Sequence, residues 1–150
     1  MTYITEDLAN HFLSQGWVES GSMFTEAEPS FEELRNALGS NATVPDIIHS
    51  VIVTSGTENP KWARGTYFLA IRVRGRSRDF NTATRDRCVD LFNELVGAST
   101  IQVGTNLYSQ INSSEVPRFS GYFEGSEPIF QFLISVVRES TVDIGNRQQF

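Results

Sequence analysis

The chain has 150 residues, 39% of them hydrophobic and 20% charged, and a formal net charge of −6. This length can bury a sizeable core and predicts a single domain, while the acidity argues against a free nucleic-acid binder, whose domain is usually basic. One cysteine excludes an internal disulfide, and two histidines are too few for a zinc-type cluster at familiar spacing. The acidic N-terminus does not resemble a signal peptide, and no apolar run reaches membrane-spanning length, so we expect a protein without membrane contact.

Two amphipathic helices are predicted in the first 40 residues. TEDLANHFLSQG predicts a helix that Thr5 caps and Gly16 ends. Its apolar stripe consists of Leu8, Phe12 and Leu13, and Ile4 is a candidate extension of this stripe. PSFEELRNALG predicts a second helix, with Ser30 and Glu33 as a capping box and Gly39 as its stop. The apolar side of this helix comprises Phe31, Leu34 and Leu38.

The middle of the chain predicts strands. IIHSVIVTSG, at 47–56, is β-branched and ends in a turn signal, and TSGTENPKWARG then predicts a loop or a wide hairpin. TYFLAIRVRG alternates most clearly. One of its faces carries Tyr67, Leu69, Ile71 and Val73, and the other carries Phe68, Ala70, Arg72 and Arg74.

Residues 79–97 predict the main helix, which Gly97 ends. Its apolar positions are Ala83, Cys88, Val89, Phe92, Leu95 and Val96, so Cys88 is expected to be a buried thiol. Short strands at about 100–103 and 106–111 and a polar loop from 112 to 127 follow. PIFQFLISVVRES is apolar on both faces, which predicts a strand near the middle of a sheet.

This order of elements predicts an α+β fold. We expect a single domain over residues 1–140, with a mixed, mainly antiparallel sheet packed against helices. Residues 141–150 lack periodicity and are expected to form a flexible C-terminal arm.

Charge is distributed unevenly along the chain. Residues 1–46 hold eight acids and one base, whereas residues 61–87 hold eight bases and two acids. Within IRVRGRSRDF, every second residue is an arginine: Arg72, Arg74, Arg76 and Arg78. Such a row suits bidentate pairing with carboxylates of another subunit or with phosphates, and a solvated strand end is the alternative without function. Base stacking is not favoured, because no free aromatic residue lies near the row in sequence.

Motifs of catalysis are absent from the sequence. It contains no GxSxG, GxxxxGK[ST], HExxH or GxGxxG pattern. His11 and His49 are expected to be surface or satisfied core histidines. Trp17 and Trp62 lie in or beside predicted loops, as core plugs or as interface anchors. We therefore expect no enzyme, no cofactor and no metal.

Four segments together resemble a known family. They are VPDIIHSVIVTSGTENPKW, TYFLAIRVRGRS with the helix that ends in FNELVG, IQVGTNLY, and EPIFQFLISVVRES. In this order they resemble the minor capsid and tail terminator (tail completion) proteins of long-tailed bacteriophages over about residues 44–140. The matching positions are Pro45, Asp46, Gly56, Pro60, Arg72, Val73, Arg74, Gly75, Gly104, Tyr108, Arg138 and Glu139. The family's Gly-Arg-Asp-rich turn before the last strand is replaced here by FSGYFEGSEP.

The resemblance implies a structural virion protein at the head-proximal end of the tail, assembled in the host cytoplasm. Such a protein forms a ring, usually of six copies, which stops polymerisation of the tail tube and joins the tail to the head connector. Its partners would be further copies of itself, the tail tube protein and connector proteins on the portal side, and DNA would pass through without sequence-specific binding.

An interface with a neighbouring subunit or with the tube is expected at the basic part of the chain. Its predicted residues are Arg72, Arg74, Arg76, Arg78, Lys61, Trp62 and Arg64, with the arginines paired to a neighbour's acids. A small nucleic-acid module that contacts phosphates through the arginine row is the alternative, and an enzyme with an unrecognised site is the third hypothesis.

Overall fold

The computed structural model describes residues 3–19, 21–26, 31–38, 45–59, 64–98 and 100–140. The helices in these ranges are α1 (Ile4–Ser14), α2 (Phe31–Leu38) and α3 (Asn81–Gly97), and a 3-10 turn at Arg78–Phe80 leads into α3. The strands are β1 (Met23–Thr25), β2 (Ile47–Asn59), β3 (Arg64–Gly75), β4 (Thr100–Val103), β5 (Asn106–Phe123) and β6 (Glu127–Ser140). Ser30, Gly39 and the arm at 141–150 lie outside the described residues.

One curled, mainly antiparallel sheet of six strands organises this single α+β domain. The strand order is β1-β2-β3-β6-β5-β4, and only the β1–β2 pair is parallel. The predicted fold class is therefore confirmed, and β6 takes the predicted central position between β3 and β5. The segment at 54–65 belongs largely to a hairpin of β2 and β3. The sequence did not predict β1, because three residues are too short to show an alternating pattern.

The main core lies on one face of the sheet. Tyr67, Leu69, Ile71 and Val73 of β3 are all buried, as their alternation predicts. In β6, residues 132, 134 and 136 are the register partners of residues 71, 69 and 67, and they add their apolar side chains to the same face. Directly paired residues of neighbouring strands share a face, so the two central strands present one continuous apolar surface.

Helix α3 covers this apolar surface. Its buried residues are Thr84, Cys88, Leu91 and Leu95, which follow one another at steps of four, three and four. Cys88 is buried as predicted, but Ala83 and Val89 are exposed, so the predicted stripe was wrong at those two positions. Steps of three and four residues keep these four positions on one side of a helix with 3.6 residues per turn. Ala83 and Val89 are each one position away from a buried residue and therefore point away from that side.

Helix α1 contacts strands near both ends of the strand order. It packs against β1 and β2 and also against β4, because the sheet curls around it. Ile4, Leu8 and Phe12 are fully buried, whereas Leu13 is exposed, contrary to prediction. The predicted cap was also wrong, since Thr5 is buried within the first turn and the N-cap position is taken by residue 3. The helix therefore closes the space that the curled sheet leaves open.

Strand β5 is much longer than predicted. The segment expected to be a loop from 112 to 127 continues the strand to Phe123, and a tight turn at 124–126 leads into β6. The β5–β6 ladder tolerates this polar sequence through four register shifts. Pro117 lies within the shift between Glu115 and Arg118. Proline is confined to edges and bulges of sheets because it cannot donate a ladder hydrogen bond.

Helix α2 covers part of the second face of the sheet. Phe31 and Leu34 pack with Ile48 of β2 in a small separate cluster, and Phe24 of β1 lies against it. Ile48 is the register partner of Arg74 in β3. The predicted arginine row therefore begins on a face that is partly covered by a helix.

Candidate interaction surfaces

The four arginines of IRVRGRSRDF divide into two pairs. Arg72 and Arg74, the strand pair, lie on the second face of β3, as alternation predicts. The strand ends at Gly75, so Arg76 and Arg78, the turn pair, follow it, and Arg78 lies in the 3-10 turn. The arginines are evenly spaced in sequence, but only Arg72 and Arg74 belong to the strand.

The strand pair has partners within its own chain. Arg74 is only 4% exposed, and its Nε lies 3.3 Å from Oε1 of Glu127. Its guanidinium carbon is 4.6 Å from the ring centre of Phe123. Nε of Arg72 donates to Oε1 of Gln131 at 2.9 Å. Burial raises the pKa of Glu127, and the nearby Arg74 opposes that rise. Arg74 thus pairs with an acid of its own chain, and its predicted pairing with an acid of a neighbour stays a prediction.

The turn pair is more accessible. Nη2 of Arg76 lies 3.1 Å from Oδ1 of Asp46, and both side chains are about half exposed. Nε and Nη2 of Arg78 donate to the carbonyl oxygen of Gly125 at 3.3 and 2.9 Å. An exposed ion pair contributes little to stability, so a partner's carboxylate can replace Asp46 at small cost. The interface role of the row stays a prediction, and the turn pair is the accessible part of the row.

Aromatic rings surround the arginines. The guanidinium carbon of Arg78 lies 4.1 Å from the ring centre of Tyr122, and that of Arg76 lies 5.2 Å from Phe80. Phe119 contacts Tyr122 edge-on with ring centres 5.0 Å apart. Sequence reasoning missed this cluster because its β5 members lie about 40 residues further along the chain, in a segment predicted to be a loop. The dense aromatic run FSGYF was the available signal.

The structure describes little of the three other predicted interface residues. Lys61 and Trp62 lie outside the described residues, and for Arg64 only the backbone is described, at the start of β3. Their interface role stays a prediction. Trp17 packs partly buried against the core, with its ring centre 5.6 Å from that of Phe12, which fits the predicted core plug.

The outer edge of β5 is largely open. Strand β4 pairs only with residues 106–109, and in the described ranges no strand pairs with the outer side of residues 110–123. We call residues 110–123 the β5 edge. Val116 is 62% exposed and Phe119 is 44% exposed, so this edge presents apolar side chains to solvent. Open edges of this kind are sites where a further chain can add.

A groove lies at the other end of the strand order. It has a volume of about 460 Å³ between the outer side of α1 and the edge strand β1. Its apolar lining comes from Ala9, Leu13, Met23 and Phe24, and Glu6 lies at its rim. We call it the α1–β1 groove. Leu13, which the sequence assigned to the core, is 38% exposed here.

His49 is a buried structural histidine, as predicted. Nη1 of Arg87 lies 3.0 Å from its Nε2, which must therefore accept, and Nδ1–H then donates to the carbonyl oxygen of Ser22 at 3.2 Å. Burial and the Arg87 charge lower the pKa of His49 to about 4. Glu19 accepts from both terminal nitrogens of Arg87 at 2.8 and 3.0 Å, and this hydrogen bonding lowers the pKa of Glu19 to about 2.

A second buried polar cluster joins α1 to β5 and β6. The carboxylate of Asp7 accepts hydrogen bonds from Nδ2 of Asn106 and from the hydroxyl of Tyr108. Arg138 donates to the hydroxyl of Tyr67 at 2.8 Å. Burial, followed by the bond to Asp7, raises the pKa of Tyr108, which keeps its phenol protonated. The cluster binds elements together and offers no exposed reactive group.

Comparisons with known proteins leave the family open. No protein-family model and no curated protein matches the chain. Over the ranges that the structure describes, His, Cys, Asp and Glu side chains form no group of three that could hold a metal ion. The helices described above include none with the length and apolarity to cross a membrane. Function is therefore inferred from the fold and surfaces of the chain itself.

Proposed function

We propose that the chain is a structural subunit of a long-tailed bacteriophage, a tail terminator or head-tail joining protein of the virion. It acts by shape and interface complementarity, without catalysis. Copies form a ring on the end of the tail tube, which stops tube polymerisation and offers a surface to the head connector. The ordered resemblance over residues 44–140 supports this family.

The observation that carries the proposal is the presence of two unlike open surfaces on one sheet. The β5 edge and the α1–β1 groove share no residue and lie towards opposite ends of the strand order. A ring of copies that all face the same way requires two different contact surfaces on each copy. A protein with only one such surface would stop at a symmetric dimer.

The arginines have separate roles in this proposal. The strand pair stabilises the subunit, while the turn pair meets acids of the tube or of a neighbouring copy. A net charge of −6 suits a ring through which DNA passes without being held.

Sedimentation velocity and negative-stain electron microscopy of the isolated protein, followed by a tube-growth assay, test the proposal. We expect ring particles at raised concentration, and tail tubes whose growth stops when the protein is added. A protein that neither forms rings nor changes tube growth contradicts the proposal.

A nucleic-acid module remains the second candidate, because the turn pair lies beside Tyr122 and the exposed Phe119. Arginine and aromatic side chains together can hold a single strand by charge and stacking. Filter binding with single-stranded DNA at low salt separates the candidates. Affinity that falls steeply with salt favours this module, and no binding at low salt removes it.

A further inference from the structure

We propose that the β5 edge of one copy docks into the α1–β1 groove of a second copy. The inference rests on the proposed ring and identifies the two surfaces that build it. Three grounds indicate that the occupant of the groove is a second copy of this chain: apolar fit, opposite charge and strand edges without a neighbouring strand in the described sheet.

Apolar complementarity is the first ground. Val116 and Phe119 are among the most exposed large hydrophobic residues described, and both lie on the β5 edge. Leu13 is exposed beside the α1–β1 groove. The groove is an open depression with a volume of about 460 Å³, so apolar side chains of a second copy can enter it. Docking removes both apolar surfaces from water at once.

Charge is the second ground. Arg118 lies on the β5 edge, and although it pairs with Glu115 its side chain is about half exposed, so a second carboxylate can reach it. Exposed Glu6 lines the groove, and exposed Glu26 directly follows β1, where its Oε1 accepts from the backbone N–H of Val53. Opposite charges at the rim of an apolar contact set its orientation more than its strength.

The two strand edges are the third ground. β1 ends the described sheet on one side, and the β5 edge has no strand partner among the described residues. Each therefore presents unpaired backbone groups, which favour a strand-to-strand contact. Pro117 and the register shifts limit such pairing to a short run, so the side chains supply most of the contact.

Paired cysteines test the contact directly. The double variant Val116→Cys and Leu13→Cys should form a ladder of disulfide-linked multimers on a non-reducing gel, because each copy offers one thiol to each neighbour. Native Cys88 does not compete, since it is fully buried and burial raises the pKa of its thiol to about 12. A disulfide requires Cα atoms within roughly 7 Å, so a docked pair that holds positions 116 and 13 at this distance should cross-link faster than molecules that only collide.

A matched control places the second cysteine elsewhere. Val89 on α3 is 38% exposed, as is Leu13, but it lies outside the groove. The double variant Val116→Cys and Val89→Cys should form no ladder above the level of single-cysteine variants. Equal ladders in both double variants would overturn the inference.

Complementing variants provide a second test. Val116→Asp with Phe119→Asp blocks one surface and Leu13→Asp blocks the other, and each should weaken self-association at least ~tenfold. In an equimolar mixture, the intact β5 edge of the Leu13→Asp variant can dock into the intact groove of the other variant. No further copy can then add, so the mixture should yield dimers only. All three positions are exposed, so far-UV circular dichroism should show an unchanged fold.

The outcomes separate the inference from the proposed function. Rings that persist in both blocked variants, with no ladder from positions 116 and 13, overturn the docking inference and leave the ring proposal standing. A ladder and mixed dimers without any effect on tail tubes support the docking contact and contradict the phage role. A wild-type protein that neither associates nor cross-links overturns both.

Discussion

His49 connects three parts of the molecule through hydrogen bonds that require a neutral imidazole ring. Its Nδ1–H donates to the loop before β1, and its Nε2 accepts from Arg87 of α3. A second proton on the ring would meet the Arg87 guanidinium and remove the acceptor. Neutral His49 is therefore part of the folded state, whereas an unfolded chain protonates it near its ordinary pKa of 6.5.

Stability should consequently depend on pH in a defined window. The folded pKa of His49 is about 4, so the unfolded state binds more protons between pH 4 and 6.5. The contribution of neutral His49 to the free energy of unfolding is then fully present above pH 6.5. It falls by at most ~3 kcal/mol as the pH decreases to 4. Urea unfolding at several pH values measures this change.

The histidine variants provide the control for this window. The chain has only two histidines. His11→Gln should keep the decline, and His49→Gln should lose most of it. Glu19, with a folded pKa of about 2, adds its own loss only between about pH 4.5 and 2. A decline of equal size in both variants would contradict the assignment to His49.

Tyr108 is the main hydroxyl partner of a buried carboxylate. Tyr108→Phe removes the donor to Asp7 and should lower the free energy of unfolding by ~1–3 kcal/mol, because Asp7 is fully buried. Tyr122→Phe is the matched control, since its hydroxyl only accepts from Asn81 in a partly buried place, and should cost below ~1 kcal/mol. Chemical denaturation measures both, and equal costs would contradict the role of Tyr108.

At the scale of elements, the junction of β3 and α3 depends on a glycine. A Cβ atom on Gly75 would collide with Oγ1 of Thr84 and lie 3.1 Å from Cβ of Phe80 and 3.2 Å from Cγ of Pro128. Gly75 therefore lies where the end of β3, the start of α3 and the start of β6 meet, and this place has no room for a side chain.

Gly75→Ala should destabilise the fold by about 1–3 kcal/mol through overpacking. Gly97→Ala is the control, since a Cβ there meets nothing within 4 Å, and it should change stability by less than ~1 kcal/mol or increase it. Thermal unfolding of both variants compares them. A Gly75→Ala variant as stable as wild type would show that the junction can open without cost.

The sequence predicted elements best where a regular pattern extends over many residues. The alternation in β3 and the apolar run in β6 identified two strands, and the apolar run also predicted the central position of β6 in the sheet. It failed at β5, where bulges and Pro117 remove the alternation while the strand continues along β6. The sequence analysis also placed Val89 on the buried side of α3 and left Leu91 out. Both residues are apolar, and only their packing shows that Leu91 is the buried one.

The candidate surfaces were less predictable than the fold. The arginine row could be read directly, but its division at Gly75 and the pairing of Arg74 with Glu127 depend on contacts between distant segments. The β5 edge and the α1–β1 groove depend on the order of strands, which no local pattern encodes. The sequence predicted Leu13 on an apolar helix stripe and Val116 within a polar loop, and neither pattern indicates the exposed apolar surface that the structure shows.

At the scale of the whole molecule, the turn pair provides the accessible cations of the arginine row. Reversal of both charges, Arg76→Glu with Arg78→Glu, should weaken joining to tail tubes at least ~tenfold, because acids of a partner would be repelled. Arg85→Glu is the control, since Arg85 is exposed on α3 and pairs only with the adjacent Asp86. Co-sedimentation with tubes measures the effect.

Reversal at Arg74 is unsuitable for this purpose. It would bring a second carboxylate beside buried Glu127 and destabilise the subunit itself. Unchanged joining after reversal of the turn pair would contradict the proposed contact with the tube.

The position of α1 also has a consequence for the order of folding during synthesis. Synthesis produces this helix before the strands it packs against, yet Asp7 bonds to Asn106 and Tyr108, about 100 residues later in the chain. Its apolar side, with Ile4, Leu8 and Phe12, has no complete binding place until most of the sheet exists. Helix α1 is thus expected to dock among the last elements although it is synthesised before the sheet, and a nascent chain that ends before β5 should leave it open to protease.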